Sequence, residues 1–456
     1  MNKVDVLQYL EDVKAKEVSV VKTVKSILAE AKKVNRDYHY FNVICDKLAL
    51  KQAKGVEKNP KGRLAGLPIS VKDCICVKGV ESTAGSKILK GYLPLINATA
   101  VQRCVDEGAI IIGKTAQDEF GFGSFSVNVG VGFKPPRNPF DKTRVTGGSS
   151  GGAAGFSAIT KFPHVALAES TGGSIANPAS FCGVVGFTPT YGLVSRYGLI
   201  DYANSLDKIG VISKDVDSCE LVADVIARHD PKDSTSLDKQ LASGVVKKVA
   251  LIKESLDLEP HVKDVILKKV EDLGFEYETV SLPLTFKYGI AAYYLIATSE
   301  ASTNLAKFCG MRYGFSKGIK GSFDEFFSDV RSDAFGEEAK RRIILGTFAR
   351  MAGFRDAYYL KAMKVRTRII EEYKKAFKKY DVLINPTMPV VAPKFSEIDK
   401  LTPLQNYMMD VLTVGPNLAG MPHISVNAGF IDKMPLGIMF TADHLCDKKL
   451  FTVARY

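Results

Sequence analysis

Short apolar runs bounded by charge constrain the fold of this chain more than any other sequence feature. The segment 64–73, LAGLPISVKD, is an apolar run that ends in charge, and the segment 108–120, GAIIIGKTAQDEF, passes from an apolar run into a polar loop. Runs of this length are typical of strands covered on both faces, because a strand with one face in water alternates between apolar and polar residues. The pattern predicts an α/β fold.

Helical periodicity and strand patterns alternate along the rest of the chain. Residues 1–58 carry apolar residues at spacings of three and four, which predicts an N-terminal helical arm. The apolar positions of that arm are Val4, Leu7, Leu10, Val13, Val20, Val24, Ile27, Leu28 and Ala31. A β-α-β pattern covers 245–282, and a long amphipathic helix is predicted over 355–380, followed by a strand at DVLINPTMP.

Neither an internal repeat nor an interdomain linker interrupts this order. We therefore expect one continuous domain over 1–456, with 1–58 as the helical arm and a catalytic core over about 64–215. The Gly- and Ser-rich stretch 121–155 contains four phenylalanines and leads directly into apolar segments. It is better explained as a compact loop system near a site than as a flexible linker.

Composition excludes several classes of protein. Apolar residues make up 46% of the chain and charged residues 25%, which excludes a disordered or collagen-like chain. The eight cysteines and six histidines show no metal-ligand spacing, so we expect reduced thiols, no metal and no disulfide scaffold. No apolar run approaches the roughly 18 residues that span a bilayer, and no signal peptide is recognisable, so we expect a cytoplasmic protein without a membrane association.

Net charge is the one unusual quantity. The 62 basic and 50 acidic residues give a formal charge of +12. Such a charge could help the protein contact an anionic partner such as RNA. It could equally serve solubility, since it is spread over the surface of a long chain.

Three segments carry candidate chemistry. Lys72 closes the first apolar strand, the loop 145–155 reads VTGGSSGGAAG, and the segment 169–192 begins ESTGGSIANPASFCG. Two glycines precede Ser174, whose hydroxyl could attack a carbonyl while neighbouring backbone N–H groups bind the oxyanion. A buried lysine loses its charge readily and could act as the base. Taken singly, each segment is more often a solvated lysine, a flexible loop or a glycine-rich turn.

Together, in this order and spacing, the three segments resemble the amidase signature family over nearly the whole chain. The resemblance implies a Ser–Ser–Lys triad, in which Ser174 is the nucleophile, Ser149 the bridging serine and Lys72 the base. It also implies a cis peptide bond at Ser149. The implied fold is the amidase signature fold, a large mixed central β-sheet flanked by helices on both faces.

The same resemblance assigns supporting roles near the nucleophile. The backbone amides of Thr171, Gly172 and Gly173 would form the oxyanion hole, and Ser150 would be a supporting hydrogen-bonding residue.

Some positions depart from the family pattern. Ser170 stands where aspartate is usual, Ala176 where arginine is common, and Thr146 where proline is frequent. Ser170, Ala176 and the net charge leave open the hypothesis that the chain is a catalytically weakened scaffold that binds tRNA or partner proteins.

Four further stretches, at 189–210, 299–314, 340–349 and 410–426, are most similar to one branch of the family. This branch consists of the A subunits of glutamyl-tRNA(Gln)/aspartyl-tRNA(Asn) amidotransferases. The similarity implies that the substrate is glutamine.

The same branch implies a set of substrate-binding residues. Arg342 would bind the carboxylate of glutamine, Asp410 its ammonium group, and Tyr293 would line the pocket. A guanidinium fork suits a bidentate contact with a carboxylate. Without the resemblance, Arg342 would more often be a surface cation and Asp410 a helix cap.

The function that the resemblance implies is a glutaminase component of a heterotrimer with B-type and C-type subunits. Ammonia would pass to the partner subunit, which would use ATP and Mg²⁺ to amidate misacylated tRNA, and the tRNA would be bound mainly by that partner. This chain would need no cofactor of its own. The alternative is a stand-alone amidase acting on another small or aryl amide.

Overall fold

The computed structural model describes residues 5–456, so Val4 of the predicted arm lies outside the described residues. The strands are β1 (Phe41–Ile44), β2 (Pro68–Lys72), β3 (Ile110–Thr115), β4 (Val165–Ser170), β5 (Val185–Thr188), β6 (Lys208–Ser213), β7 (Val249–Ile252), β8 (Tyr277–Val280), β9 (Val382–Pro386), β10 (His423–Ile431) and β11 (Met434–Ala442). They form one 11-stranded sheet in the order β1-β3-β2-β4-β6-β5-β10-β11-β9-β7-β8. Parallel and antiparallel pairs both occur in it, so the sheet is mixed.

Sixteen α-helices occur within residues 5–456. They are α1 (Val6–Lys14), α2 (Val20–Tyr38), α3 (Asp46–Lys58), α4 (Thr99–Asp106), α5 (Gly151–Ile159), α6 (Ala176–Cys182), α7 (Val216–Ile226), α8 (Pro260–Asp272), α9 (Pro283–Asn304), α10 (Phe323–Ala334), α11 (Glu337–Arg350), α12 (Lys361–Phe377), α13 (Phe395–Ile398), α14 (Pro403–Met408), α15 (Val414–Leu418) and α16 (Asp447–Ala454). Within residues 5–456, no helix is both long and apolar enough to cross a membrane.

Burial explains why these strands read as continuous apolar runs. Every residue of β2 to β7, β9 and β11 is buried. Because successive side chains of a strand point to opposite faces, continuous burial means that both faces of the sheet are covered there. The edge strands β1 and β8 are only partly buried. The predicted α/β fold with a large mixed sheet is confirmed.

Strand order places two of the three candidate segments at one edge of the sheet. Strand β2 lies between β3 and β4 and is parallel to both. The carboxyl ends of parallel neighbours meet at the same edge, so Lys72 at the end of β2 lies near Ser170 at the end of β4. The chain that follows β4 is the predicted nucleophile segment.

The N-terminal arm is not purely helical, which corrects one prediction. Residues 41–44 form strand β1, which pairs antiparallel with β3 and so extends the sheet. The four residues FNVI are too short to show a strand period beside two strong helical patterns. Helix α2 ends at Tyr38, and His39 adopts a left-handed conformation (φ 59°) that turns the chain toward β1.

Other predicted elements are found with adjusted bounds. The β-α-β unit over 245–282 is β7, α8 and β8. The helix predicted over 355–380 is α12, preceded by a short π-helical segment at Asp356–Leu360. The predicted loop system 121–155 ends earlier than expected, because α5 begins at Gly151 and buries its small residues.

The arm packs as part of the core, and this generates a stability prediction. Ile27 on α2 is fully buried, whereas Lys25 on the same helix is exposed. Ile27→Ala should lower the free energy of unfolding by about 2–5 kcal/mol, because it leaves a cavity. Lys25→Ala should change it by less than about 0.5 kcal/mol. Urea denaturation measures both, and equal midpoints for the two variants would contradict the packing of the arm.

Candidate active site

Lys72 is a buried lysine with three oxygen neighbours. Its Nζ donates to Ser149 Oγ at 2.7 Å, to the Glu169 carbonyl at 2.8 Å and to Glu169 Oε2 at 2.8 Å. The side chain is fully buried, which excludes the solvated strand-end lysine that was open from sequence. A charge in such a place is tolerated only when it is paired, and Glu169 supplies the pairing.

The serine pair lies between a tight turn and a helix. Gly147 has a positive φ of 77°, the Gly148–Ser149 peptide bond is cis as the resemblance implied, and α5 begins after Ser150. A methyl group on Gly148 would overlap the Asp118 carboxylate, so only glycine fits there. The turn at Gly147 and the close packing of Gly148 leave Ser149 Oγ within hydrogen-bond distance of Lys72.

Ser150 links the serine pair to the nucleophile segment. Its backbone N–H donates to the Ser174 carbonyl at 3.2 Å, and its Oγ donates to the Glu169 carbonyl at 3.2 Å. Within residues 5–456 the hydroxyls of Ser149 and Ser174 make no direct hydrogen bond. Catalytic hydrogen bonds are often long before substrate binds. Ser150 keeps the two segments next to each other through its two hydrogen bonds.

Ser174 lies in the turn between β4 and α6. It is 5% exposed, whereas Lys72 and Ser149 are fully buried, so of the three side chains only Ser174 reaches accessible space. Within the described chain, the backbone N–H groups of residues 171–174 donate to no other group. They are therefore free to donate to an oxyanion in front of Ser174, and the assignment of Thr171, Gly172 and Gly173 to an oxyanion hole stays a prediction.

Two asparagines donate hydrogen bonds to the backbone carbonyls of this turn. Asn177 donates its backbone N–H to the Gly173 carbonyl at 2.8 Å, and Asn417 Nδ2 donates to the Gly172 carbonyl. The Ser170 hydroxyl also donates to the Gly172 carbonyl, at 2.9 Å. The departure at Ser170 thus supplies a local hydrogen bond within the turn.

Arg342, on α11, is enclosed by aromatic rings and a glutamate. Nε donates to Glu338 Oε1 at 2.8 Å, and Nη1 donates to the Tyr202 hydroxyl at 2.6 Å. Four rings lie 5.1 to 5.7 Å from the guanidinium carbon, those of Phe122, Tyr202, Tyr294 and Tyr407. Within the described residues, Nη2 donates to no group of the chain and is left for a ligand.

Asp410 is a buried carboxylate beside the nucleophile turn. Oδ2 accepts from the hydroxyls of Ser124 and Tyr294, both at 2.8 Å, and Oδ1 accepts from Asn177 Nδ2 at 2.9 Å. Burial raises the pKa of Asp410 above its ordinary value. A ligand ammonium beside this carboxylate would favour its charged form.

Tyr294 connects the two charged residues. Its hydroxyl bonds Asp410, and its ring lies 5.3 Å from the Arg342 guanidinium carbon. The predicted pocket residue Tyr293 lies next to it on α9 and faces the nucleophile turn, since a methyl group on Gly172 would lie 2.8 Å from the Tyr293 hydroxyl. The structure therefore brings Tyr293, Arg342 and Asp410 to one region beside Ser174.

Several residues of the site were not predicted from the sequence. Glu338 precedes Arg342 by four positions on one helix, a spacing that indicates an ion pair. Tyr294 adjoins a predicted residue in the sequence AAYY. Glu169, Tyr202 and Asn177 lie within the quoted motifs but carried no signal of their own.

The described part of the chain contains no cluster of metal-ligating side chains. Across residues 5–456, no group of three His, Cys, Asp or Glu side chains could hold a metal ion. All eight cysteines are free thiols.

Comparison with known proteins identifies the family of this chain. The family model described as Amidase matches residues 22–451. The chain belongs to the amidase family. This confirms the resemblance drawn from the three segments.

Three relatives of this amidase share one name. The A subunit of glutamyl-tRNA(Gln) amidotransferase from Thermoanaerobacter pseudethanolicus is 43% identical over 461 residues, covering 97% of this chain and 93% of that protein. The protein of the same name from Halothermothrix orenii is 46% identical over 407 residues, covering 86% of this chain and 84% of that protein. The crystal structure of the protein of that name from Thermotoga maritima has a TM-score of 0.78 at 34% identity, covering 100% of this chain and 95% of that one.

The site predicts selective labelling of one serine. A fluorophosphonate probe should form an O–P bond with Ser174 as the serine loses its O–H proton and the P–F bond breaks to release fluoride, because Ser174 reaches accessible space beside the free backbone N–H groups of residues 171–174. Ser174→Ala should lose the label. Ser180→Ala is the matched control, a buried serine on α6 that bonds Gly437, and it should keep the label. Labelling of the Ser174→Ala protein at the wild-type rate would contradict the assignment.

Proposed function

We propose that this amidase is the glutaminase subunit of a tRNA-dependent amidotransferase that acts on Glu-tRNA(Gln), Asp-tRNA(Asn) or both. The observation that carries the proposal is that Arg342 and Asp410, two buried residues of opposite charge, lie in one region beside Ser174. Tyr294 contacts both of them. A zwitterion such as free glutamine needs one partner of each sign. The names of the relatives support the same assignment.

Substrate binding follows from the free Nη2 of Arg342 and from the charge of the Asp410 carboxylate. The glutamine carboxylate accepts from Nη2 of Arg342, and its ammonium donates to Asp410. The side-chain amide then extends toward the nucleophile turn, where Tyr293 packs on Gly172.

Hydrolysis then proceeds in two stages. Ser174 attacks the amide carbonyl as its proton passes to Ser149 and the Ser149 proton passes to Lys72. The N–H groups of residues 171–174 bind the oxyanion, and the proton returns along the same relay to the departing ammonia. Water, activated by the same relay, releases glutamate from the Ser174 ester and restores the enzyme.

The product ammonia would serve a partner subunit. We propose a heterotrimer with B-type and C-type subunits, in which the partner binds ATP, Mg²⁺ and the misacylated tRNA. The +12 charge of this chain is therefore not required to form a tRNA site.

We also propose that the chain works as one amidase domain. All strands from β1 to β11 belong to one sheet. One hydrophobic cluster contains residues from Val6 to Val453, so the arm and the core share their packing.

Arg342 provides the test of this function. Arg342→Ala should lower kcat/KM for glutamine about 100-fold, because one buried charge-assisted contact contributes up to about 3 kcal/mol. Arg341→Ala is the matched control. Arg341 also pairs with Glu338 but is 42% exposed, and its loss should change kcat/KM by less than about twofold. The assay measures glutamate release by the chain purified with its partner subunits.

An uncharged amide separates this proposal from a stand-alone amidase. Propionamide should be a poor substrate whose turnover is insensitive to Arg342→Ala. Preference of the wild type for propionamide over glutamine, with no effect of Arg342→Ala on glutamine, would overturn the proposed function.

A further inference from the structure

Glu169 contacts the catalytic lysine through both its backbone and its side chain. The residue lies one position before the end of β4 and is 2% exposed. Oε2 is 2.8 Å from Lys72 Nζ, and Oε1 accepts from Thr171 Oγ1 at 2.9 Å. The proposed hydrolysis uses Lys72 as the base but gives this carboxylate no task.

The Thr171 hydroxyl has two carboxyl neighbours and only one proton. It lies 2.9 Å from Glu169 Oε1 and 2.9 Å from Asp207 Oδ1. A hydroxyl donates one hydrogen bond, so at the other contact the carboxyl group must be the donor and must carry a proton. One of the two carboxyl groups is therefore protonated.

Asp207 is the protonated partner. Burial and the charge of Glu169 raise the pKa of Asp207 well above its ordinary value. Its Oδ2 accepts from the backbone N–H groups of Tyr202 and Ala203 at 2.9 and 3.0 Å, and its Oδ1 also accepts from the Ala203 N–H, at 3.1 Å. Oδ1 is the oxygen that lies 2.9 Å from Thr171 Oγ1, so the proton is on Oδ1 and points toward Thr171. Thr171 then donates to Glu169, which is left as a carboxylate facing Lys72.

This arrangement describes Lys72 in its resting state. An ammonium has three N–H donors, and Ser149 Oγ, the Glu169 carbonyl and Glu169 Oε2 accept all three. In that state Lys72 donates to Ser149 and cannot accept its proton. The relay can start only after Lys72 has lost a proton.

We propose that Glu169 is a positioning residue that takes the proton Lys72 must release before Lys72 can act as the base. The N–H bond nearest Oε2 breaks, an O–H bond forms on Oε2, and the electron pair stays on Nζ. The acid O–H then turns from Nζ, and the pair accepts the Ser149 proton. The transfer cancels two opposite charges in a buried site, where an ion pair carries a large desolvation cost. The inference rests on the proposed role of Lys72 in hydrolysis.

Few other titratable groups face Glu169. Lys72 ends β2, and the thiol of Cys74, two residues later, lies 4.0 Å from Oε2. Asp207 immediately precedes β6. Burial raises the pKa of Cys74 well above its ordinary value, so the thiol stays neutral. Asp118 and the buried ion pair of Lys114 with Asp73 are the next charges outward.

An internal transfer has a distinctive pH signature. The states before and after it hold the same number of protons, so the fraction of neutral amine does not change with pH while Lys72 and Glu169 together keep one proton. Without the carboxyl group the proton must leave to solvent, and a rate that requires the prior loss of one proton to solvent rises about tenfold per pH unit.

The test is the rate of Ser174 labelling by a fluorophosphonate between pH 6 and pH 8. The wild type should show a rate that is constant within about twofold. Glu169→Gln should react about 100-fold more slowly at pH 7 and about tenfold faster for each added pH unit. Glu169→Asp, which keeps a carboxyl group, should restore the flat profile at a reduced rate, and Glu271→Gln, at an exposed glutamate, should match the wild type.

Two outcomes would overturn the inference. One is a wild-type rate that itself rises tenfold per pH unit, which needs no variant and decides the question even if Glu169→Gln fails to fold. The other is a folded Glu169→Gln protein with a flat profile, which would assign Glu169 a purely structural role. Because the probe is not glutamine, a wrong substrate assignment would leave both readings intact.

Discussion

The contact between Lys72 and Ser149 determines most of what surrounds it. A lysine with no access to water requires acceptors for every N–H group, and the serine, one carbonyl and one carboxylate supply them. The strand order of the sheet makes this possible, because β2 and β4 run parallel as neighbours and end at the same edge. A different order would separate Lys72 from Glu169 and leave a buried charge without a partner.

The same residue, Asn177, forms hydrogen bonds to the nucleophile turn and to Asp410. Asn177 holds the Gly173 carbonyl with its backbone and Asp410 with its side chain, while Asn417 holds the Gly172 carbonyl from α15. In the proposed function, a substrate ammonium at Asp410 would contact a residue whose partner Asn177 also positions the turn. The proposed ammonium site and the oxyanion donors therefore depend on the same asparagine.

The sequence allowed part of this to be predicted, and the reasons for the rest are physical. Lys72, Ser149 and Ser174 were selected because three motifs, marked by glycines and a strand end, together resemble one family. Strand β1 was missed because four residues carry too little periodicity against the helices beside them. Glu169 was missed because only the strand order brings it to Lys72, and a lone glutamate in a strand has no local signature.

The contacts of Arg342 show the same limit. The residue was selected by resemblance, and the i,i+4 spacing to Glu338 was readable on one helix. The Tyr202 and Tyr407 rings come from segments more than 60 residues away in sequence. Such contacts depend on how helices pack on the sheet, which periodicity alone does not define.

Trapping of the acyl-enzyme tests most directly the claim that a buried lysine activates Ser174. The wild-type complex is mixed with glutamine, quenched in acid and digested, and the Ser174 peptide is sequenced by mass spectrometry beside that of Lys72→Met, whose folding is checked by its melting temperature. The account predicts a γ-glutamyl ester on Ser174 in the wild type and none in Lys72→Met. An ester on another serine, or an ester that forms equally fast in Lys72→Met, would contradict it.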